Sequence, residues 1–302
     1  MLSVDGGAAW ITTVVLCSSC LAFTGTKTPV ARMFAMEFVG SFLIVLTTCS
    51  PGPLFGGMGK IVEWSAFHVG IIATDALTGA MVNPAVTIAF FANGNLNWIE
   101  ALHRIAGQVS GGCLGWSTLR ALLALCDKEI AGPETSVTAS VLHASISEGF
   151  ATLLLLAAVV LVVDTALSRN YWFKMSLIAA AVRTIITVPP LLVATGPAIN
   201  PMIATTYSIV KHGNWPTTVR FYAIYWGAAS AGGAIAVYLV RALLAIVRPT
   251  AQPSSLARDG GRQEVRAVAA RAASPAKQNR QARSPPRRPS PAENKKGKSK
   301  KQ

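Results

Sequence analysis

Seven stretches of the chain are apolar almost without a break: residues 8–24, 33–48, 65–82, 109–125, 150–163, 175–194 and 221–247. About 20 such residues make a helix long enough to cross the roughly 30 Å of hydrocarbon in a bilayer, where only helices and closed barrels satisfy their own backbone. The stretches lack the two-residue alternation of barrel strands, so they read as helices. Charged residues are 13% of the chain, about half the share of an ordinary soluble domain. These features predict an all-α, multi-pass membrane protein and exclude a typical soluble enzyme.

Charge divides the chain. Residues 1–248 hold 13 Lys/Arg against 10 Asp/Glu, a net +3, whereas residues 249–302 hold 14 against 3, a net +11. Three regions follow: an N-terminal apolar segment (1–28), a membrane domain (29–248) and a basic tail (249–302). The first apolar run lacks the basic leader of a signal peptide, since Asp5 is the only charge before Lys27, so it is expected to be a retained extra span. The positive-inside rule then puts a Lys27–Arg32 loop in the cytosol, together with Arg169 and Lys174, and puts Asp127, Glu129 and Glu134 opposite. Lys211 and Arg220 run against this order.

The membrane domain carries a weak duplication. Glu37-Phe38-Val39-Gly40-Ser41-Phe42-Leu43 is echoed by Glu148-Gly149-Phe150-Ala151-Thr152-Leu153-Leu154, and Thr78-Gly79-Ala80-Met81-Val82-Asn83-Pro84-Ala85 by Thr195-Gly196-Pro197-Ala198-Ile199-Asn200-Pro201-Met202. Each half holds three spans, an odd number, so the halves must lie in opposite orientations, an inverted repeat with its site at the midplane. Asn is a favoured helix N-cap and Pro suits the first helical position. The roughly ten residues after each Asn-Pro, 85–94 and 202–211, are too few to span. They predict two re-entrant half-helices whose positive ends meet at the membrane centre, with Asn83 and Asn200 offering side-chain N–H groups to a passing solute.

On these residues the chain resembles the aquaporin, or major intrinsic protein, family over residues 33–247. Asn83-Pro84-Ala85-Val86-Thr87 fits the family's first signature; Gly107-Gln108 with Gly111-Gly112 resembles its third helix, and Tyr225-Trp226-Gly227 with Gly232-Gly233 its sixth. The second signature departs: Met202 follows Asn200-Pro201, and Ile203 stands where most members carry a constriction arginine. That departure, the extra apolar segment and Pro29-Val30-Ala31 before Glu37-Phe38 resemble the unorthodox superaquaporin branch. The resemblance implies six transmembrane helices plus two half-helices, a homotetramer, and passive conduction of water or small neutral solutes, glycerol and hydrogen peroxide among them. It also implies that Glu37 and Glu148 hold the re-entrant loops. Carrying the family's selectivity constriction over by counting from the two asparagines implies Val188, Pro197 and Ile203, with Glu63 or its neighbours Trp64 and Phe67; one inserted residue would shift the last. An ion-coupled transporter on inverted repeats, or a non-conducting scaffold recruiting partners through the tail, are the competing functions.

Arg183, about ten residues into its helix, is expected to face the protein interior and pair with a carboxylate such as Asp75. His68 reads as an interior histidine, and His103, His143 and His212 as groups near helix ends, solvated or interfacial. Cys17-x-x-Cys20 has redox spacing without a second pair, so the five cysteines read as small buried hydrophobes. No nucleotide, metal or catalytic motif points to a cofactor or an enzyme. The tail, rich in Pro, Ser, Lys and Arg, cannot bury a core and is expected to lie disordered near anionic lipid. Ser274, Ser284 and Ser290 each precede Pro and offer a phosphorylation switch, while the lack of aromatics argues against nucleic acid. The membrane is left open between intracellular and plasma, with the intracellular one preferred.

Overall fold

A computed structural model describes residues 28–134, 139–165, 170–187, 195–196 and 198–247, all within the compact unit Met1–Ser254. The expected N-terminal span, Cys17, Cys20, Arg169 and the tail lie outside the described residues.

The described elements are helical: α1 (Thr28–Cys49), α2 (Lys60–Thr78), α3 (Pro84–Ala92), α4 (Trp98–Ala124), α5 (Val141–Asp164), α6 (Tyr171–Thr187), α7 (Pro201–His212) and α8 (Val219–Val247). A short helical turn, Pro51–Phe55, follows α1. Residues 30–54, α5 and α8 are each long and apolar enough to cross a membrane. The 9-residue α3 and 12-residue α7 are the two half-helices, about 14 and 18 Å long at 1.5 Å per residue.

Local chemistry moves three boundaries away from the apolar runs. α1 begins at Thr28, so Arg32 lies in a helix rather than in the expected loop. α2 stops at Thr78 because Gly79 takes the left-handed conformation, φ 59°, and its N–H caps the carbonyl of Asp75, a conformation glycine adopts at no steric cost. Residues 80–82 then run non-helically into Asn83. α4 starts at Trp98, eleven residues before its apolar run. Asn97 and Glu100 form a capping box there, each side chain accepting from the other's backbone N–H at 2.9 and 3.0 Å, which satisfies donors a helix start leaves open. The early start overturns one expectation. His103 is fully buried, its Nδ1 2.8 Å from the carbonyl of Ile99, rather than interfacial.

The duplication is visible in packing. α1 lies along α4, and α5 along α8. A Cβ at Gly111 would strike the backbone of Phe38, and one at Gly232 the backbone of Gly149. Phe38 and Gly149 follow the paired glutamates in the two copies, so the same crossing recurs in each half, and small residues are what let helices approach this closely in lipid. Within α8, Ala223–Ala228 is wound as a π-helix. Tyr225 there donates to the carbonyl of Thr195 at 2.8 Å, and Trp226 Nε1 to Thr205 Oγ1 at 2.9 Å, tying α8 to both sides of the second re-entrant loop.

Candidate functional site

The two half-helices begin at capping asparagines. Asn83 Oδ1 accepts from Ala85 N at 2.9 Å, and Asn200 Oδ1 from Met202 N at 3.0 Å. Each side chain also crosses to the other loop. Asn83 Nδ2 donates to the carbonyl of Ile199 at 2.9 Å, and Asn200 Nδ2 to that of Val82 at 2.8 Å. A carboxamide nitrogen has two hydrogens; these bonds use one on each.

Val82 and Ile199 accept those bonds from a strained backbone, with φ 51° and 45°, the left-handed region that β-branched residues avoid at a cost of about 1–3 kcal/mol. Their N–H groups hold them there. Glu37 accepts from Met81 N and Val82 N at 3.0 and 2.9 Å, and Glu148 from Ala198 N and Ile199 N at 3.0 and 2.8 Å. Both glutamates are wholly buried.

The halves differ in how the carboxylate is compensated. Glu37 also accepts from Arg104 Nη1 at 2.6 Å and Gln108 Nε2 at 2.9 Å. Arg104 had no sequence signal beyond its position one turn before Gln108, which a helix starting at Trp98 brings onto the same face. Removing one member of a buried pair leaves the other charge uncompensated, a loss of about 3–5 kcal/mol. Arg104→Met should therefore lower the thermal unfolding midpoint of detergent-solubilised protein sharply, and the double variant Glu37→Gln/Arg104→Met should lose less than the two single changes added together.

Around the asparagines lies a cavity of about 730 Å³. α2 turns one stripe to it, Glu63, Phe67, Ile71, Thr74 and Asp75, and α6 another, Met175, Ile178, Val182, Arg183 and Ile186; both follow the three-and-four spacing of one helix face. Asn83, Asn200 and Ile203 line it as well. Trp64 does not and is half exposed. Ala85 and Met202 are fully buried outside the lining. Met202 packs against Gly112 of α4, where an added Cβ would meet its sulfur, so the larger residue of the second motif is seated in a space that glycine leaves open. Pro84 and Pro201 are buried at the first helical positions. Val188 and Pro197 lie outside the described residues.

The carboxylates pair differently from expectation. Arg183 Nη2 bonds Glu63 Oε1 at 2.7 Å, not Asp75, and its guanidinium lies 5.1 Å from the ring centres of both Trp64 and Phe67. Asp75 instead accepts from Tyr171 Oη at 2.5 Å. The cause is register. α2 and α6 run antiparallel, and Glu63 and Asp75 are spaced 12 positions apart, as are Tyr171 and Arg183.

The comparisons agree with this architecture. A family model described as major intrinsic protein matches residues 24–240. The chain belongs to the major intrinsic protein family. It is an integral membrane protein. Curated relatives include Aquaporin Z of Photorhabdus laumondii, 32% identical over 29% of this chain and 42% of that protein, and Aquaporin NIP2-2 of Zea mays, 30% identical over 29% and 32%. This family member thus spans about a third of the length of the first relatives it matches. The X-ray structure of the aquaglyceroporin from Plasmodium falciparum covers 74% of this major intrinsic protein and is itself covered completely, with a TM-score of 0.62 and 20% identity, a likeness of fold.

Proposed function

We propose that this chain is a passive channel for water and small neutral solutes, glycerol and hydrogen peroxide included, with the cavity at Asn83 and Asn200 as its conduction path. The observation that carries this reading is the meeting of two half-helix N-termini beside a cavity that both asparagines line, with one amide hydrogen on each left after the crossed bonds. Two positive helix ends at the midplane favour a neutral, hydrogen-bonding solute over a cation. Glu37 and Glu148 act in this reading as loop holders and not as proton carriers, because both are engaged by backbone N–H groups at matching repeat positions. Ile203, on the lining, is one of four proposed constriction positions with Val188, Pro197 and Glu63; three of the four are apolar, which makes the constriction less polar than one with an arginine at 203. Homotetramer assembly, kinship with the superaquaporin branch, and residence in an intracellular membrane, with the plasma membrane as the alternative, belong to the same proposal.

Stopped-flow swelling of liposomes holding the purified full chain, under water, glycerol and urea gradients, tests it. Permeability above that of empty vesicles, independent of proton or sodium gradients, is the expected result; no flux of any solute would overturn the reading, and gradient dependence would favour a coupled transporter.

The division into 1–28, 29–248 and 249–302 is likewise proposed, with the last region a cytosolic segment unnecessary for folding. A chain ending at Val247 should insert and conduct as the full chain does. Failure of the shortened chain to reach the membrane, with the full chain succeeding, would refute the division.

A further inference from the structure

We infer that solute selection in this channel is made by the Glu63–Arg183 ion pair on the α2–α6 seam, rather than at residue 203. The inference rests on the channel reading above and adds Arg183, through its pairing with the constriction candidate Glu63, to the specificity-determining residues.

Glu63 and Asp75 are the outermost cavity-lining residues of α2 and lie about 18 Å apart at 1.5 Å per residue, so they mark the two ends of the chamber along that helix.

Each end carries one polar tie between α2 and α6. The Asp75–Tyr171 tie opens outward through Tyr171, which is 41% exposed, while Asp75 is half-buried. The Glu63–Arg183 tie is enclosed: their side chains are 8% and 16% exposed. It is also held from every side. Glu63 Oε1 takes Arg183 at 2.7 Å, Oε2 takes Lys60 Nζ at 2.8 Å, and the guanidinium rests between the Trp64 and Phe67 rings. Two long side chains that line the chamber are thus fixed in one geometry instead of sampling rotamers, which is the condition for a sharp size limit. Arg183 is the one cation among the described lining residues, and its Nε has no hydrogen-bond partner among them. A solute shedding water against apolar Phe67, Ile186 and Ile203 finds replacement hydrogen bonds at this pair. The cluster of Lys60, Glu63 and Arg183 has two cations and one carboxylate, so it selects neutral acceptors and repels cations.

The test is the ratio of erythritol to water permeability in liposomes carrying the full chain. Glu63→Ala/Arg183→Ala removes both charges together, leaving neither unpaired, and should raise the ratio about tenfold, equivalent to about 1.4 kcal/mol of barrier. Glu63→Gln/Arg183→Gln, which keeps most of the volume and is the variant more easily folded, should raise it severalfold. Arg183→Lys alone, which keeps the charge opposite Glu63, should leave the ratio close to that of wild type. If both double variants conduct water and hold the ratio within about twofold of wild type, the pair is not the filter. A rise with Ile203→Ala alone would place the filter at 203 and overturn the inference. Absence of water flux in the wild-type protein would instead overturn the channel reading on which it rests.

Discussion

Asn83→Asp should abolish conduction at neutral pH and lower the yield of assembled protein. The carboxylate keeps the cap to Ala85 N but loses the N–H that reaches the carbonyl of Ile199 at 2.9 Å, so two oxygens face each other. A carboxylate deep in the bilayer costs about 3 kcal/mol, and the lost hydrogen bond about 1 more. The positive end of α3 returns about 1 kcal/mol. The net loss of about 3 kcal/mol is roughly a hundredfold in the folded population. Protonation supplies an O–H that can donate to Ile199, so the defect should ease as pH falls. Water permeability of reconstituted Asn83→Asp, compared at neutral and acidic pH beside Asn83→Gln, measures this. Wild-type flux at neutral pH would remove Asn83 from the conduction path.

Gly232→Ala is expected to be nearly as damaging, for a reason unconnected with polarity. The added methyl meets the backbone of Gly149 on α5, which cannot step aside as a side chain can, so α8 and α5 must separate along their length. Overpacking of this kind costs about 3 kcal/mol, enough to threaten a membrane protein of ordinary stability. Gly227→Ala, in the same helix, is the control: its nearest neighbour would be the carbonyl of Tyr222 at 3.6 Å, an ordinary contact, and the expected change is within about 0.5 kcal/mol. Unfolding midpoints of the two variants in detergent decide the matter, and equal midpoints would mean that the α5–α8 crossing tolerates expansion.

The half-helices and the buried glutamates were legible because they are written twice. A single Asn-Pro is a commonplace helix start, but two at matched places, each after an apolar run and before a segment too short to span, leave little freedom. Arg104 was not legible, because apolar runs mark only the central part of a helix: α4 gains eleven residues from a polar capping box, and Arg104 and His103 lie within that extension. The partner of Arg183 was hidden for another reason. Glu63 and Asp75 are equally good carboxylates by type and depth, and only the antiparallel register of α2 and α6 distinguishes them. The π-helical stretch of α8 has no compositional mark either; it is set by where Tyr225 and Trp226 find partners.

The crossed bonds between the two loops also bear on how the chain is made. Asn83 waits for a carbonyl 116 residues further on, and Val82 for an amide 118 residues further on. At ribosomal speeds that separation is on the order of 10 s. During that interval the first three membrane helices and α3 are present, yet the donor of Asn83 and the acceptor of Val82 have no protein partner, and nothing from the second half restrains the strain at Val82. The first half cannot therefore settle as a finished unit. Glu37 already holds the Met81 and Val82 N–H groups from within the first half, but the crossed bonds are expected to form only once α7 has emerged. Assembly is thus a concerted late event rather than the sum of two independently folding halves.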